Sequence, residues 1–224
     1  LKTPIAAHPF TASSYEPMER LNIDFIGPFP DGQYILVVID CFTRWTELYL
    51  CPQATAEHTA RKLLEHVGRY GAPLQLLSDR GSHFVNEVIT KLLTLFGTEH
   101  CLNIAYSKEE SAIVERQNRE INRHLRNMFF HSGVINDYVQ AIPLVMRIVN
   151  SSPHSRTRVE PYRLLFGNAV QLNRGIFLQQ EARPDTDVPM SRFVSKLLSI
   201  QDQLLTVART SLRKADEAHI ASYS

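Results

Sequence analysis

The sequence predicts an α/β layered domain, on three observations. Strand-like and helix-like segments alternate as strand-strand-strand-helix-strand-helix-strand-helix over the first 130 residues. Ile35-Leu36-Val37-Val38-Ile39 is a continuous apolar run of the kind found in a strand buried on both faces. The helical spacings stop at glycine and proline. The length of 224 residues suits one generous domain, or one ordinary domain with an addition. With 44% apolar and 21% charged residues, disorder, collagen-like repeats and a disulfide scaffold are excluded. No apolar run approaches the ~18 residues of a membrane helix.

Residues 1–16 form an extended lead-in with prolines and small polar residues. Arg20 to Ile26 reads as the first strand, ending at Gly27-Pro28. Asp31-Gly32 turns the chain into Tyr34–Ile39, and Trp45–Leu50 completes a three-strand meander. Thr55 to Tyr70 carries apolar residues at helical spacing and stops at Gly71-Ala72-Pro73. Leu74–Leu77 is a short fourth strand. Ser82 is placed to cap a helix running to about Phe96, with Gly97 as its stop. His100–Ile104 makes a fifth strand, and a long helix runs from about Glu109 to Phe130. Helices are expected at about 135–150 and 161–166. A linker at 171–190 separates the core, 17–170, from an amphipathic helical tail at 191–224. That tail repeats apolar residues from Phe193 through Leu204, Ala208 and Leu212 at spacings of three and four. Packing on its own core is the default for such a face; a self-association surface is the alternative.

Three carboxylates sit where strands and helices present side chains to a cleft. Asp24 lies in mid-strand between Ile23 and Phe25, an expensive place for a charge without a partner or a cation. Asp79 ends the fourth strand, where turn chemistry is the ordinary explanation. Glu115 stands on the long helix, where an exposed glutamate paired with Arg119 is the ordinary case. The 35 residues between Asp79 and Glu115 mean little alone. At about 100° per residue, Lys108, Ser111, Asn118, Arg119, Asn122 and Arg126 all fall within about 60° of Glu115. Ile113, Val114, Ile121, Leu125 and Met128 take the other side. One face is core; the other is a carboxylate among cations and amides. Three converging carboxylates repel, and divalent cations relieve the repulsion. Hard oxygen ligands suit Mg²⁺, and two such ions serve phosphodiester chemistry.

Leu21-Asn22-Ile23-Asp24-Phe25-Ile26-Gly27-Pro28 and Val38-Ile39-Asp40-Cys41-Phe42-Thr43-Arg44-Trp45 resemble the start of a retroelement integrase catalytic core. Ser78-Asp79-Arg80-Gly81-Ser82-His83-Phe84, and the stretch from Ala105-Tyr106-Ser107 to Ile113-Val114-Glu115-Arg116, resemble its other two motifs. The likeness is to gypsy-type LTR retrotransposons within the retroviral integrase superfamily, and it covers about 17–170. It implies a ribonuclease H-like mixed five-stranded sheet flanked by helices, with a C-terminal amphipathic helix following. It also implies an Asp24-Asp79-Glu115 triad binding two Mg²⁺ or Mn²⁺ ions, with Asp40 outside the ligand set. The implied activities are trimming of retroelement DNA 3′ ends and joining them to target DNA, in the nucleus and as a homo-oligomer.

Two departures qualify the likeness. Ser111 stands where the family usually has Asn. The zinc-binding N-terminal domain and the C-terminal domain are missing, so the chain reads as a piece of a longer polypeptide or a decayed copy.

Net charge, 24 basic against 23 acidic residues, does not announce a nucleic-acid partner. Local stretches do. Glu115 to His131 has four Arg against two Glu, and Arg147 to Arg163 has four Arg against one Glu. Lys108, Ser111, Asn118, Arg119, Asn122 and Arg126 are the candidate DNA contacts, Arg119 foremost; a solvated helix face is the alternative. His83, His100 and Cys101 read as structural. Cys41, Cys51 and Cys101 contain no Cys-x-x-Cys pair, which suits a reducing, intracellular compartment and argues against a zinc site. No targeting signal is readable. The favoured function is a metal-dependent polynucleotidyl transferase. A catalytically silent descendant that binds DNA or protein is the alternative, and a plain ribonuclease H-like nuclease is disfavoured by Tyr106–Glu115.

Overall fold

The computed structural model describes residues 16–102, 108–131, 138–167 and 190–221. The lead-in up to residue 15 and the linker at 171–189 lie outside the described residues. Five strands form one sheet: β1 (Arg20–Ile26), β2 (Tyr34–Asp40), β3 (Thr46–Cys51), β4 (Gln75–Ser78) and β5 (Glu99–Leu102). Their order is β3-β2-β1-β4-β5. The β1–β2 and β2–β3 pairs are antiparallel, the meander expected from the Asp31-Gly32 turn. The β1–β4 and β4–β5 pairs are parallel and need helical crossovers. α1 (Ala56–Tyr70) and α2 (Glu87–Phe96) supply them.

Strand periodicity explains why β2 is apolar throughout. Leu36 and Val38 face one layer, with Leu63 of α1 and Ile89 and Leu93 of α2. Ile35, Val37 and Ile39 face the other, with Ile121 and Leu125 of α3 (Lys108–His131) and Val145 of α4 (Tyr138–Ser151). All five residues of that run are at most 1% exposed, so neither face tolerates a polar substitution. In β1 the same alternation sends Leu21, Ile23 and Phe25 to the α1–α2 layer. Asp24 therefore lies on the α3–α4 side, with Ile26.

Local chemistry sets the helix ends. Thr55 caps α1 by accepting from the His58 N–H at 3.3 Å. Asn86, not Ser82, caps α2, accepting from the Ile89 N–H at 3.0 Å. Residues 82–86 instead form a turn in which the Phe84 and Val85 N–H groups both donate to the Gly81 carbonyl. Burial of Phe84 in the α1–α2 layer explains that irregular entry, since a helix begun at Ser82 would not seat its ring there.

Asn150 of α4 fixes the second layer to the sheet, bonding both Thr46 N–H and Thr46 carbonyl at 2.8 Å. Gln117 of α3 donates to Thr46 Oγ1 at 3.1 Å. α5 (Pro161–Phe166) and α6 (Met190–Ala221) build a third cluster through Leu164, Ala208 and Leu212 around Phe42. The tail helix thus packs on its own domain, its default. No helix among the described residues is long and apolar enough to cross a membrane.

Candidate functional site

The parallel β1–β4 register pairs Leu21 with Leu76 and Asn22 with Leu77. Continued by two residues, it sets Asp24 beside Asp79 just past the end of β4. Two carboxylates 55 positions apart in sequence become neighbours through strand pairing. Each is oriented by a neutral donor. Asp24 accepts from its neighbour's Phe25 N–H at 2.8 Å and from Asn118 Nδ2 on α3 at 2.7 Å. Asp79 accepts from the Gly81 N–H at 2.8 Å, an Asx-type turn. Asp24 is half-buried; burial raises its carboxyl above the usual range, and the charge of Asp79 pushes the same way. The hydrogen bonds from Phe25 and Asn118, and the charge of His83, pull it back.

His83 belongs to this site more closely than its expected structural role suggested. Its ring stands edge-on to Phe25, centroids 5.2 Å apart, and leans on Phe84 at 4.3 Å. Gly81 makes room for it. A Cβ at Gly81 would lie 2.4 Å from His83 Cε1 and 3.0 Å from Asp79 Oδ1. The imidazole lies close to Asp79 and near enough to Asp24 for its charge to act on that carboxyl, and the Phe25–Phe84 stack behind it belongs to the α1–α2 layer. The adjacency of His83 to Asp79's turn was visible in the sequence; the ring's direction was not.

Glu115 lies one turn before Asn118 on α3 and is exposed. Among the described residues, no group of three His, Cys, Asp or Glu side chains is arranged to hold a metal ion. The structure therefore gathers Asp24 and Asp79 but does not bring Glu115 into a shared cluster. Nor does Glu115 pair with Arg119, because the described ion pairs of α3 join Glu120 to Arg123 and His124. Asn118, a candidate DNA contact, donates from Nδ2 to Asp24 Oδ2. Arg119 and Arg126 are exposed and Asn122 is half-buried. The side chains of Lys108 and Ser111 lie outside the described residues. His100 is structural as expected, Nε2 meeting Ser78 Oγ at 2.9 Å. Asp40 is too: it is 1% exposed and accepts from Thr43 N–H at 2.9 Å and from the Thr43 hydroxyl.

Whether a divalent cation fits follows from two observations. The Asp24–Asp79 pair is a set of hard oxygens whose mutual repulsion a cation relieves. Asn118 Oδ1, beside it, is buried and meets no donor among the described residues, leaving an acceptor for a water on such an ion. The two aspartates fit the ion; the third carboxylate stands apart.

The two basic stretches meet on the opposite side of α3. Arg116, Arg119 and Arg123 from α3 and His154 and Arg156 from the α4–α5 connection line a cleft of about 500 Å³. Arg156 pairs with Asp216 of α6 at 2.6 Å.

Comparison with known proteins agrees with this layout. Residues 14–108 match the integrase core domain family. The Gag-Pol polyprotein of feline leukemia virus is 38% identical over 162 residues, 70% of this chain and 9% of that polyprotein. The Pol polyprotein of feline endogenous virus ECE1 is 31% identical over 189 residues, 83% of this chain and 18% of its own length. Among solved structures, the HTLV-2 integrase catalytic core domain in complex with magnesium superposes with a TM-score of 0.56 at 17% identity. That match covers 66% of this chain and 95% of the HTLV-2 chain. The BIV integrase catalytic core domain gives 0.56 at 22% identity, over 66% and 93%. The fold is that of an integrase catalytic core, ribonuclease H-like. The chain belongs to the retroviral integrase superfamily. It spans only 9% and 18% of the two viral polyproteins named.

Proposed function

We propose that this chain is the catalytic core of a gypsy-type retroelement integrase, a polynucleotidyl transferase that trims DNA 3′ ends and joins them to target DNA. The observation that carries the reading is the pairing of Asp24 with Asp79 at the ends of parallel strands, with Asn118 of α3 holding Asp24. Asp24 and Asp79, with Glu115 as the third ligand, would hold two Mg²⁺ or Mn²⁺ ions. When bound, such ions activate the attacking oxygen and neutralise charge on the leaving one. The chain's own groups do the positioning. Asn118 and the Phe25 N–H fix both oxygens of Asp24, and the Gly81 N–H fixes Asp79. The His83 ring, backed edge-on by Phe25, stands beside Asp79. Arg119, exposed on α3, is suited to a DNA phosphate. The reading includes a DNA partner, a homo-oligomer, a nuclear setting, and a parent polypeptide with a zinc-binding domain and a C-terminal domain.

A second reading is a silent, domesticated descendant that binds DNA or protein. One observation favours it: Glu115 stands outside any shared cluster. A strand-transfer assay on the full-length parent beside this chain, in Mn²⁺, separates the two. Joining that is lost in Asp24→Asn and Asp79→Asn supports the enzyme. Metal binding without joining, even in the parent, leaves the descendant.

A further inference from the structure

The contact that seats His100 against Ser78 reaches one residue further, to Asp79. Ser78 is the last residue of β4, and His100 stands on β5, the neighbouring parallel strand. In that register His100 pairs with Leu76, and Leu102 with Ser78. Residues two apart on a strand share a face, so the imidazole meets the hydroxyl along a diagonal of one sheet face. Ser78 is 0% exposed and His100 is half-buried. A hydroxyl shut away in this manner has few partners, and each bond it makes has a definite direction.

The hydrogen count fixes those directions. Ser78 Oγ lies 2.8 Å from the Asp79 carbonyl oxygen, which only accepts, so the single hydroxyl hydrogen is spent there. The same Oγ lies 2.9 Å from His100 Nε2. With no hydrogen left to give, the hydroxyl accepts, and Nε2 carries the hydrogen that it donates. Burial lowers the pKa of His100, so at neutral pH the ring is neutral and its Nδ1 is bare. The opposite tautomer would draw the Ser78 hydrogen to Nε2 and strip the Asp79 carbonyl of this donor.

We propose that His100 is a positioning residue for Asp79, acting through the Ser78 hydroxyl on the peptide that follows Asp79. Asp79 is then held at two points, its carbonyl by Ser78 and its Oδ1 by the Gly81 N–H at 2.8 Å. The two holds are coupled. Freed of Ser78, the peptide between Asp79 and Arg80 can rotate, and that rotation carries Gly81 and its N–H away from the carboxylate. Asp24 receives its remote donor from α3 through Asn118; Asp79 receives its own from β5 through His100 and Ser78. The consequence for metal binding rests on the proposed reading of Asp79 as an ion ligand, whereas the hold on its peptide does not.

The test uses the whole chain, first without metal. Nitrogen NMR of the wild type should find His100 protonated at Nε2 and bare at Nδ1 at neutral pH. Exchange of the Gly81 N–H, slowed by its bond to Asp79, should quicken about threefold or more in Ser78→Ala and in His100→Leu. His100→Gln keeps an N–H donor and should exchange at the wild-type rate. In Mn²⁺ melts, Ser78→Ala and His100→Leu should need about tenfold more metal for half the gain, and His100→Gln close to the wild-type amount. A contact that only adds stability would lower the melting temperature without metal and leave Gly81 exchange where it was. The proposal is overturned by a hydrogen on Nδ1 in the wild type, or by wild-type Gly81 exchange in both Ser78→Ala and His100→Leu. If the wild type gains nothing from Mn²⁺ while Gly81 exchange responds, the metal reading of Asp79 fails and the positioning role stands.

Discussion

The two sides of α3 handle like charges in opposite ways. On one side, Asp24 and Asp79 lie together, yet each has a neutral donor: Asn118 and the Phe25 N–H for one, the Gly81 N–H for the other. On the other side, Arg44 is enclosed with no acceptor while Arg116 and Arg156 stand near it. The acidic notch is half-solvated and moderated by hydrogen bonds. On the basic side, Arg44 is buried without an acceptor among the described residues, while Arg156 of the cleft is paired with Asp216. Like-charge strain held by neutral donors can be released by a mobile cation at little structural change. Strain held in a buried arginine is built into the fold.

The largest expected effect lies on the acidic side. In millimolar Mn²⁺ the wild type should melt higher than without metal, because ions bind only the folded pair. Asp24→Asn and Asp79→Asn should each abolish that gain and all phosphodiester chemistry. Glu115→Gln should reduce it, and a full gain in Glu115→Gln, read by thermal melts, would leave the site a two-carboxylate one. Asp40→Asn should keep the metal response but lose stability by about 1–3 kcal/mol. An amide NH₂ would meet the Thr43 donors that the carboxylate now accepts from.

Next in size is Asn118→Leu. Asp24 loses the donor at Oδ2 and its carboxyl rises further, so the metal response should require higher pH, with stability down by roughly 1–2 kcal/mol. An unchanged pH dependence in Mn²⁺ melts would mean that Asn118 does not position Asp24.

The two sides should also answer pH with opposite slopes. The folded pKa of Asp24 is raised, so between the unfolded value and that raised value the native state holds more protons. Its contribution therefore favours folding at low pH and is lost as pH rises. His154 is depressed to about 3. Its contribution is present above the unfolded value near 6.5 and is lost as pH falls toward 3, where the unfolded state binds more protons. Its Nδ1 accepts from the Arg156 N–H at 3.3 Å, a bond that protonation at Nδ1 removes. Denaturation curves of His154→Gln should show a shallower loss of stability from pH 7 to 4, and Asp24→Asn a steeper one. Equal slopes in all three proteins would erase the contrast.

The smallest effect belongs to Arg119→Ala, on the edge between the two sides. Duplex binding should weaken and its salt slope fall by about one, with melting almost unchanged because no pair with Glu115 forms. An unchanged salt slope would return Arg119 to the solvated face.

Much of the acidic side was legible in the sequence and little of the basic side was. Apolar alternation and turn residues placed β1, β2 and β4, and the motifs around Asp24 and Asp79 marked the notch. Local rules missed the entry to α2, because tertiary burial of Phe84 outweighs a capping serine at Ser82. They also read His83 as structural, since no pattern reveals where a ring points once Gly81 vacates the space. The expected Glu115–Arg119 pair followed helical spacing, but spacing permits a pair without requiring it. Arg44 stood in the second motif, but nothing in the sequence marked it as buried. Its φ of 68° and its 2% exposure are properties of the folded chain that composition does not record.

The alternation of β1 also limits how this lineage can change length. Asp24 faces α3 only because an odd number of residues separates it from Asn22 on the same face and an even number of steps keeps Leu21 and Ile23 inward. Deleting any single residue between Arg20 and Asp24 would turn the carboxylate into the α1–α2 layer and expose a leucine or isoleucine in its place. The 52–55 connection carries no such parity, so a residue gained or lost there is absorbed by a surface bend. Deletion scanning across both segments should therefore show an all-or-none boundary at the start of β1 and a gradual one before α1.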